Sequence, residues 1–164
     1  MDTKRRLPVA VQIAIILLAS VVCASLSAYL LPHRIPWLGE WDNYVLNKAR
    51  SSGVAVVDLA EAKTIADSQS RVILDARPAA DYEAGHLPGA FTLPQMEIDT
   101  FFGPLVPLLA FDAPVMTYCS SKDCDEALLL TEQLRERGVT SVVLFVGGFK
   151  AWKDAGYPIE GGQK

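Results

Sequence analysis

The chain has 164 residues, a net charge of −4 and a hydrophobic fraction of 51%. That is enough for one domain of ordinary size plus an appendage. Mild acidity, with no basic run beyond Lys4-Arg5-Arg6, excludes a general nucleic-acid binder, and three cysteines do not make a disulfide framework.

Residues 1–6 form a basic N-terminus, and residues 7–31 contain no charged side chain. As a helix rising ~1.5 Å per residue, the apolar run is roughly 36 Å long, enough to span a bilayer with some tilt. Tyr29 and Trp37 suit an interfacial aromatic belt at its far end. Small residues from Ala24 to Ala28 raise the alternative of a cleaved signal peptide. A signal core is only about 7–15 residues, however, so a signal-anchor is the preferred reading. Either way the basic end is expected in the cytoplasm and the remainder outside it, periplasmic in a bacterium. His33 and Arg34 on the far side oppose that orientation slightly.

Pro32 and Pro36 end the helical run. Residues 32–53 read as a linker with a possible short helix, where Trp41, Tyr44, Val45 and Lys48 recur at helical spacing. A Ser51-Ser52-Gly53 break precedes a compact domain over residues 54–164. Strands are expected at Val54–Val57, Val72–Leu74, Ala90–Leu93, Val115–Tyr118 and Val142–Phe145. Val72–Leu74 lacks polar alternation, as a strand covered on both faces does. Helices are expected after an Asp58 cap, from Pro78 to Glu83, in short pieces between Met96 and Leu109, from Ala127 to Arg137, and from Gly147-Gly148 through Trp152. The alternation indicates an α/β fold: an open, mostly parallel sheet of about five strands with helices on both faces.

Functional sites in such sheets gather at the C-terminal ends of strands. Asp75-Ala76-Arg77 follows one strand, Cys119 another, and Gly147-Gly148 a third. Cys119 sits where the strand passes into a polar loop before a helix N-terminus, whose unpaired N–H groups and positive dipole end favour a thiolate. A nucleophile carrying a covalent intermediate follows; the competing reading is a small buried thiol closing a core strand.

The run Asp75-Ala76-Arg77-Pro78-Ala79-Ala80-Asp81-Tyr82-Glu83-Ala84-Gly85-His86-Leu87-Pro88-Gly89-Ala90 resembles the first signature of the rhodanese domain, the sulfurtransferase fold. Residues Gly147 to Pro158 resemble its C-terminal signature, and Cys119 falls at the family's catalytic position. The likeness covers about Val56 to Gly161. It implies that Cys119 takes sulfur from a small donor, becomes a persulfide, and passes the sulfur to a thiol or cyanide-like acceptor. The loop Ser120, Ser121, Lys122, Asp123, Cys124 and Asp125 would turn backbone N–H groups toward the sulfur, with Lys122 holding an anionic donor. No cofactor, metal or nucleic acid is implied, and no protein partner is identified.

The loop also departs from the pattern. Asp123, Asp125 and Glu126 compete with an anion for the helix dipole and oppose the thiolate, which puts thiosulfate in doubt as donor. Phosphatase-like relatives need Cys-x5-Arg, and the sixth position here is Asp125, so phosphatase chemistry is rejected. Cys124 either packs beneath the helix start, the preferred reading, or resolves a persulfide or sulfenate on Cys119 as a disulfide. A metal held by the two thiols lacks an evident third and fourth ligand. Asp75 and Arg77 are expected to bridge strand ends and loops as an ion pair, with Arg77 at most lining the pocket. His86 reads as a hydrogen-bonded turn residue rather than a base. Gly147 and Gly148 are expected to let the backbone turn close to the Cys119 loop. The alternative function is a non-turnover module for protein docking or thiol redox sensing through Cys119 and Cys124.

Overall fold

The computed structural model describes residues 8–30, 43–109 and 113–162. The chain divides into two units, Met1–Gly39 and Glu40–Lys164. In the first, helix α1 (Val9–Leu30) is uncharged, predominantly apolar and exposed along its described length. Its segment Val9–Ser27 is long and apolar enough to cross a membrane, by length and composition, or to serve as a signal sequence. Ser20 and Ser25 return their hydroxyls to the carbonyls of Ile16 and Val21. Such bonds satisfy polar groups without water. The basic residues 4–6 and both Trp37 and Trp41 lie outside the described residues.

The second unit opens with α2 (Tyr44–Ser51), the short helix expected in the linker, which buries Val45 and Ala49. Five strands follow: β1 (Ala55–Val57), β2 (Val72–Asp75), β3 (Ala90–Thr92), β4 (Val115–Tyr118) and β5 (Val142–Phe145). They form one sheet in the order β1-β5-β4-β2-β3, and every pairing is parallel. The helices between them are α3 (Leu59–Ser68), α4 (Ala79–Ala84), α5 (Ile98–Leu105), α6 (Glu126–Glu136) and α7 (Gly148–Asp154), with a 3₁₀ turn at Gln95–Glu97. Asp58 starts α3 through a capping box: its carboxylate accepts from Glu61 N–H, and Glu61 accepts from Asp58 N–H.

Both sheet faces are covered, which is why the strands read as unbroken apolar runs. Leu74, Val115, Val142 and Leu144 pack with α2, α5 and α6 residues on one face. Ile73, Met116, Tyr118, Val143 and Phe145 pack with α3 and α7 residues on the other. Each fully buried Leu or Phe contributes about 1.5–3 kcal/mol by leaving water. Trp152 is buried in the second core, and its indole N–H donates to Pro158 O at 2.8 Å.

The boundaries differ slightly from the sequence reading. Strand β1 begins one residue later, α6 begins at Glu126, and α7 continues to Asp154. Asp75 pairs in register with Tyr118, and Tyr118 with Phe145. Three strands therefore end at one level, and the residues after them rise together from the sheet's C-terminal edge.

Candidate active site

Cys119 is the first residue after β4, the middle strand, and is only 2% exposed. The following loop is tied down from two sides. Cys119 O accepts from Phe149 N–H and Ser120 O from Lys150 N–H, each at 2.8 Å, so the start of α7 holds two successive loop carbonyls. No peptide bond is cis among the described residues, so the Ser120 and Ser121 N–H groups point the opposite way, away from those donors. A turn then closes through Cys124 N–H to Ser121 O at 3.2 Å. Ser120, Lys122 and Asp123 are exposed, while Ser121, Cys124 and Asp125 are partly buried.

The close approach needs glycine. Gly148 has φ +64°, and a Cβ there would lie 2.5 Å from Cys119 O and 2.9 Å from Ser121 N. Gly147 has ordinary backbone angles, but a Cβ on it would stand 2.8 Å from the Phe145 ring. Both glycines of the last signature thus work by absence of a side chain, one against the Cys119 loop and one against the core.

The two loop cysteines are joined as a disulfide, with Cα atoms 6.2 Å apart, inside the usual span for such a bond. Of the two roles the sequence left open for Cys124, packing under the helix start and a disulfide with Cys119, the geometry is that of a close pair, because the turn brings residue 124 back over residue 119. Glu126, outside the predicted site, is the first residue of α6. One oxygen, Oε2, lies 3.1 Å from Cys119 Sγ and touches Cys124 Sγ. The signal for it was its place two residues beyond Cys124 at a helix start. The sulfurs and this carboxylate lie within 4.8 Å of one another, so in the reduced form a third donor would stand beside the two thiols, where the sequence suggested none. Ser120 Oγ is 3.5 Å from Cys119 Sγ and 3.7 Å from Cys124 Sγ. Asp125 makes no cap hydrogen bond and lies 3.7 Å from Lys48 Nζ of α2.

Asp75 and Arg77 occupy the neighbouring strand end. Asp75 is fully buried, and Arg77 Nη2 donates to its Oδ2 at 2.6 Å, with Arg77 Nε reaching both carboxylate oxygens. The same guanidinium donates to Gly85 O at 2.7 Å and lies 4.1 Å from the centre of the Phe149 ring. Tyr118 OH donates to Asp75 Oδ2 at 2.5 Å and accepts from Leu87 N–H at 3.2 Å. Burial works against the Arg77 charge, but the hydrogen bond and charge of Asp75 outweigh it and raise its pKa. Burial, then Asp75, pushes the Tyr118 phenol well above its ordinary value. Arg77 is thus committed to a buried structural network rather than to the sulfur loop.

His86 belongs to the same scaffold. Its Nδ1 lies 2.8 Å from Tyr82 O, its ring stacks on Tyr82 with centroids 3.8 Å apart, and its backbone bridges Glu160. Tyr118, Tyr82 and Glu160 complete this network and were not singled out in the sequence, where they look like ordinary strand, helix and tail residues. A cavity of about 560 Å³ opens at the same sheet edge beyond β5, lined by Arg50, Asp58, Val146 and Gly147 among others; none of Cys119 to Asp125 lines it.

A buried strand-end cysteine bonded to a second cysteine, a loop pinned to a glycine-led helix and a buried Asp–Arg–Tyr support together make up an α/β site at the C-terminal edge of the sheet. The rhodanese-like domain family matches residues 58–155, and the chain belongs to it. The thiosulfate sulfurtransferase GlpE of Pseudoalteromonas translucida is 29% identical over 99 residues, covering 60% of this chain and 89% of its own. The crystal structure of a thiosulfate sulfurtransferase from Pseudomonas aeruginosa superposes with a TM-score of 0.60 at 22% identity, over 76% of this chain and 23% of that one. At that identity it speaks for the fold alone. A protein of unknown function and possible tyrosine phosphatase from Rhodopseudomonas palustris, RPA3614, gives a TM-score of 0.59 at 27% identity, over 79% of this chain and 99% of its own.

Proposed function

We propose that the chain is a membrane-anchored sulfurtransferase that carries sulfane sulfur on Cys119. The observation that carries this reading is the loop after β4, whose first two carbonyls are taken by α7 so that the Ser120 and Ser121 N–H groups turn away from it. Such a backbone is suited to a sulfur anion, and it needs no side-chain base. In the reduced form, the Cys119 thiolate attacks the outer sulfur of a donor and expels the donor's remaining fragment. An acceptor thiol or cyanide then takes the outer sulfur and returns the thiolate.

The carboxylate of Glu126 beside the sulfur, with Asp123 and Asp125 nearby, makes a doubly charged donor such as thiosulfate poorer than a less charged one. Phosphate monoesters are disfavoured by the same charges, and Asp125 stands where an arginine clamp would be needed. Residues Leu7–Leu31 serve as the anchor, and the positively charged residues before them hold the N-terminus in the cytoplasm, with the domain outside.

Mass spectrometry of the reduced full chain, in detergent and after exposure to thiosulfate or polysulfide, tests the chemistry. An adduct of about +32 Da on Cys119, at least transient in the wild type and absent from Cys119→Ser, is the expected result for one added sulfur atom. Turnover surviving in Cys119→Ser would sink it. The Cys119–Cys124 pair is equally compatible with a second reading, a thiol redox module without turnover. That reading predicts reversible disulfide formation and no sulfur adduct at any time, in the wild type or in Cys124→Ser.

A further inference from the structure

The loop contains, besides the sulfur carrier, a second thiol within bonding reach and a carboxylate on both sulfurs. The Cys119–Cys124 bond forms across a Cα separation of 6.2 Å, and Glu126 Oε2 lies 3.1 Å from Cys119 Sγ while touching Cys124 Sγ. On the sulfurtransferase reading, these groups do more than load and unload sulfur. We propose that Cys124 discharges the Cys119 persulfide within the loop, releasing hydrogen sulfide and leaving the Cys119–Cys124 disulfide, and that Glu126 biases the loop toward this outcome.

The step balances. Cys119 carries –S–S⁻ and Cys124 a thiol. The Cys124 sulfur attacks the inner, Cys119 sulfur, the bond to the outer sulfur breaks, and the outer sulfur leaves as HS⁻ with the proton that Cys124 gives up. Cys124 is oxidised and the sulfane sulfur is reduced to sulfide. A dithiol reductant then attacks the disulfide, restores both thiols and ends as its own disulfide. The acceptor class that this assigns is therefore a dithiol, not a cyanide-like anion.

Glu126 acts through charge. A persulfide anion held 3 to 4 Å from a carboxylate is repelled, whereas the disulfide that replaces it is neutral. Ser120 Oγ, within 3.7 Å of both sulfurs, can donate to the sulfur that carries charge at each stage. Glu126 is a catalytic residue in this scheme, since it touches both reacting sulfurs, although it exchanges no bond. The start of α6 gains nothing structural from it through a capping bond, because Asp125 and not Glu126 is the N-cap.

The test uses the reduced full chain in detergent micelles and benzenethiosulfonate, a singly charged donor that leaves as sulfinate, so any sulfide comes from the second step. Wild type is expected to release sulfide in step with sulfinate and to finish ~2 Da lighter than the dithiol, as one disulfide requires. Cys124→Ser is expected to keep an adduct of about +32 Da and release no sulfide. Glu126→Gln is expected to hold the persulfide about tenfold longer than wild type, the equivalent of one pKa unit of lost repulsion. A stable adduct on wild type, as long-lived as on Cys124→Ser, overturns this inference and leaves the sulfurtransferase reading standing. No adduct on either chain overturns both.

Discussion

Asp75, Arg77 and Tyr118 show how single residues decide what the site is built on. A carboxylate buried at a strand end would be costly alone, and removing one partner of such a pair costs about 3–5 kcal/mol. Here Arg77 and the phenol of Tyr118 satisfy Asp75 together. Tyr118 is the last residue of β4, so the same group that braces Asp75 fixes the backbone from which Cys119 departs. Its raised pKa makes that brace sensitive to alkali. The phenol ordinarily ionises at 10.0, and burial and Asp75 hold the proton on in the folded chain. The unfolded chain therefore releases the proton first as pH rises. Stability from this group is fully present below pH 10 and is lost above it, at up to about 1.4 kcal/mol per pH unit. Urea unfolding between pH 8 and 11.5 should show the decline, and Tyr118→Phe should make it shallower. An unchanged slope in that variant would mean that the phenol is not held as described. The Asp–Arg pairing was legible from two charges flanking a strand end. Tyr118 was not, because in sequence its hydroxyl is hidden among apolar strand residues.

At the scale of elements, the unit that matters is β4, the loop, α6 and the start of α7. Strand β4 and α6 are aligned by a buried pair, Thr117 Oγ1 and Thr131 Oγ1 at 2.6 Å, with Thr131 also donating to Ala127 O. Helix α7 then grips the loop through Phe149 and Lys150, and Gly148 permits the contact. Gly148→Ala should cost about 2–4 kcal/mol, combining left-handed strain with an overpacked backbone contact. It should also lower the rate of Cys119 persulfide formation. Gly53→Ala is the control: its φ is +65°, but a Cβ there meets nothing within 4 Å, so only the strain of about 1–2 kcal/mol applies. Equal urea midpoints for the two variants would refute the contact as the cause. The paired glycines announced a tight turn in the sequence. They also pointed to an approach to the Cys119 loop; that Gly148 alone makes it, against the Cys119 carbonyl, while Gly147 faces the Phe145 ring emerged only when two distant strand ends were brought together.

At the scale of the whole molecule, the described residues comprise one apolar helix and one α/β unit. Helix α1 is uncharged, hydrogen-bonds its own serines, and leaves its apolar side chains uncovered. By length and composition it passes as a membrane span or a signal sequence; on the anchor proposed above, a bilayer is its solvent. The chain should therefore stay with the membrane pellet through an alkaline carbonate wash, and a reporter fused after Lys164 should read outside the cytoplasm. A soluble product shortened near Ala24 to Ala28 would mean signal cleavage, and a cytoplasmic reporter would reverse the proposed orientation.

Local chemistry along the chain was sufficient for the strand–helix alternation, the Asp58 cap, the covered sheet and the placement of Cys119 at a strand end, because periodicity, capping and turn residues act over a few neighbours. The family signatures were equally visible as linear patterns. What required the fold were relations between residues without a short-range code: the Cys119–Cys124 link, the carboxylate of Glu126 on both sulfurs, and the hold of α7 on the loop carbonyls. Each depends on distances of a few ångströms set by the meeting of β4, α6 and α7, and such distances are determined by packing across the sheet rather than by spacing in sequence.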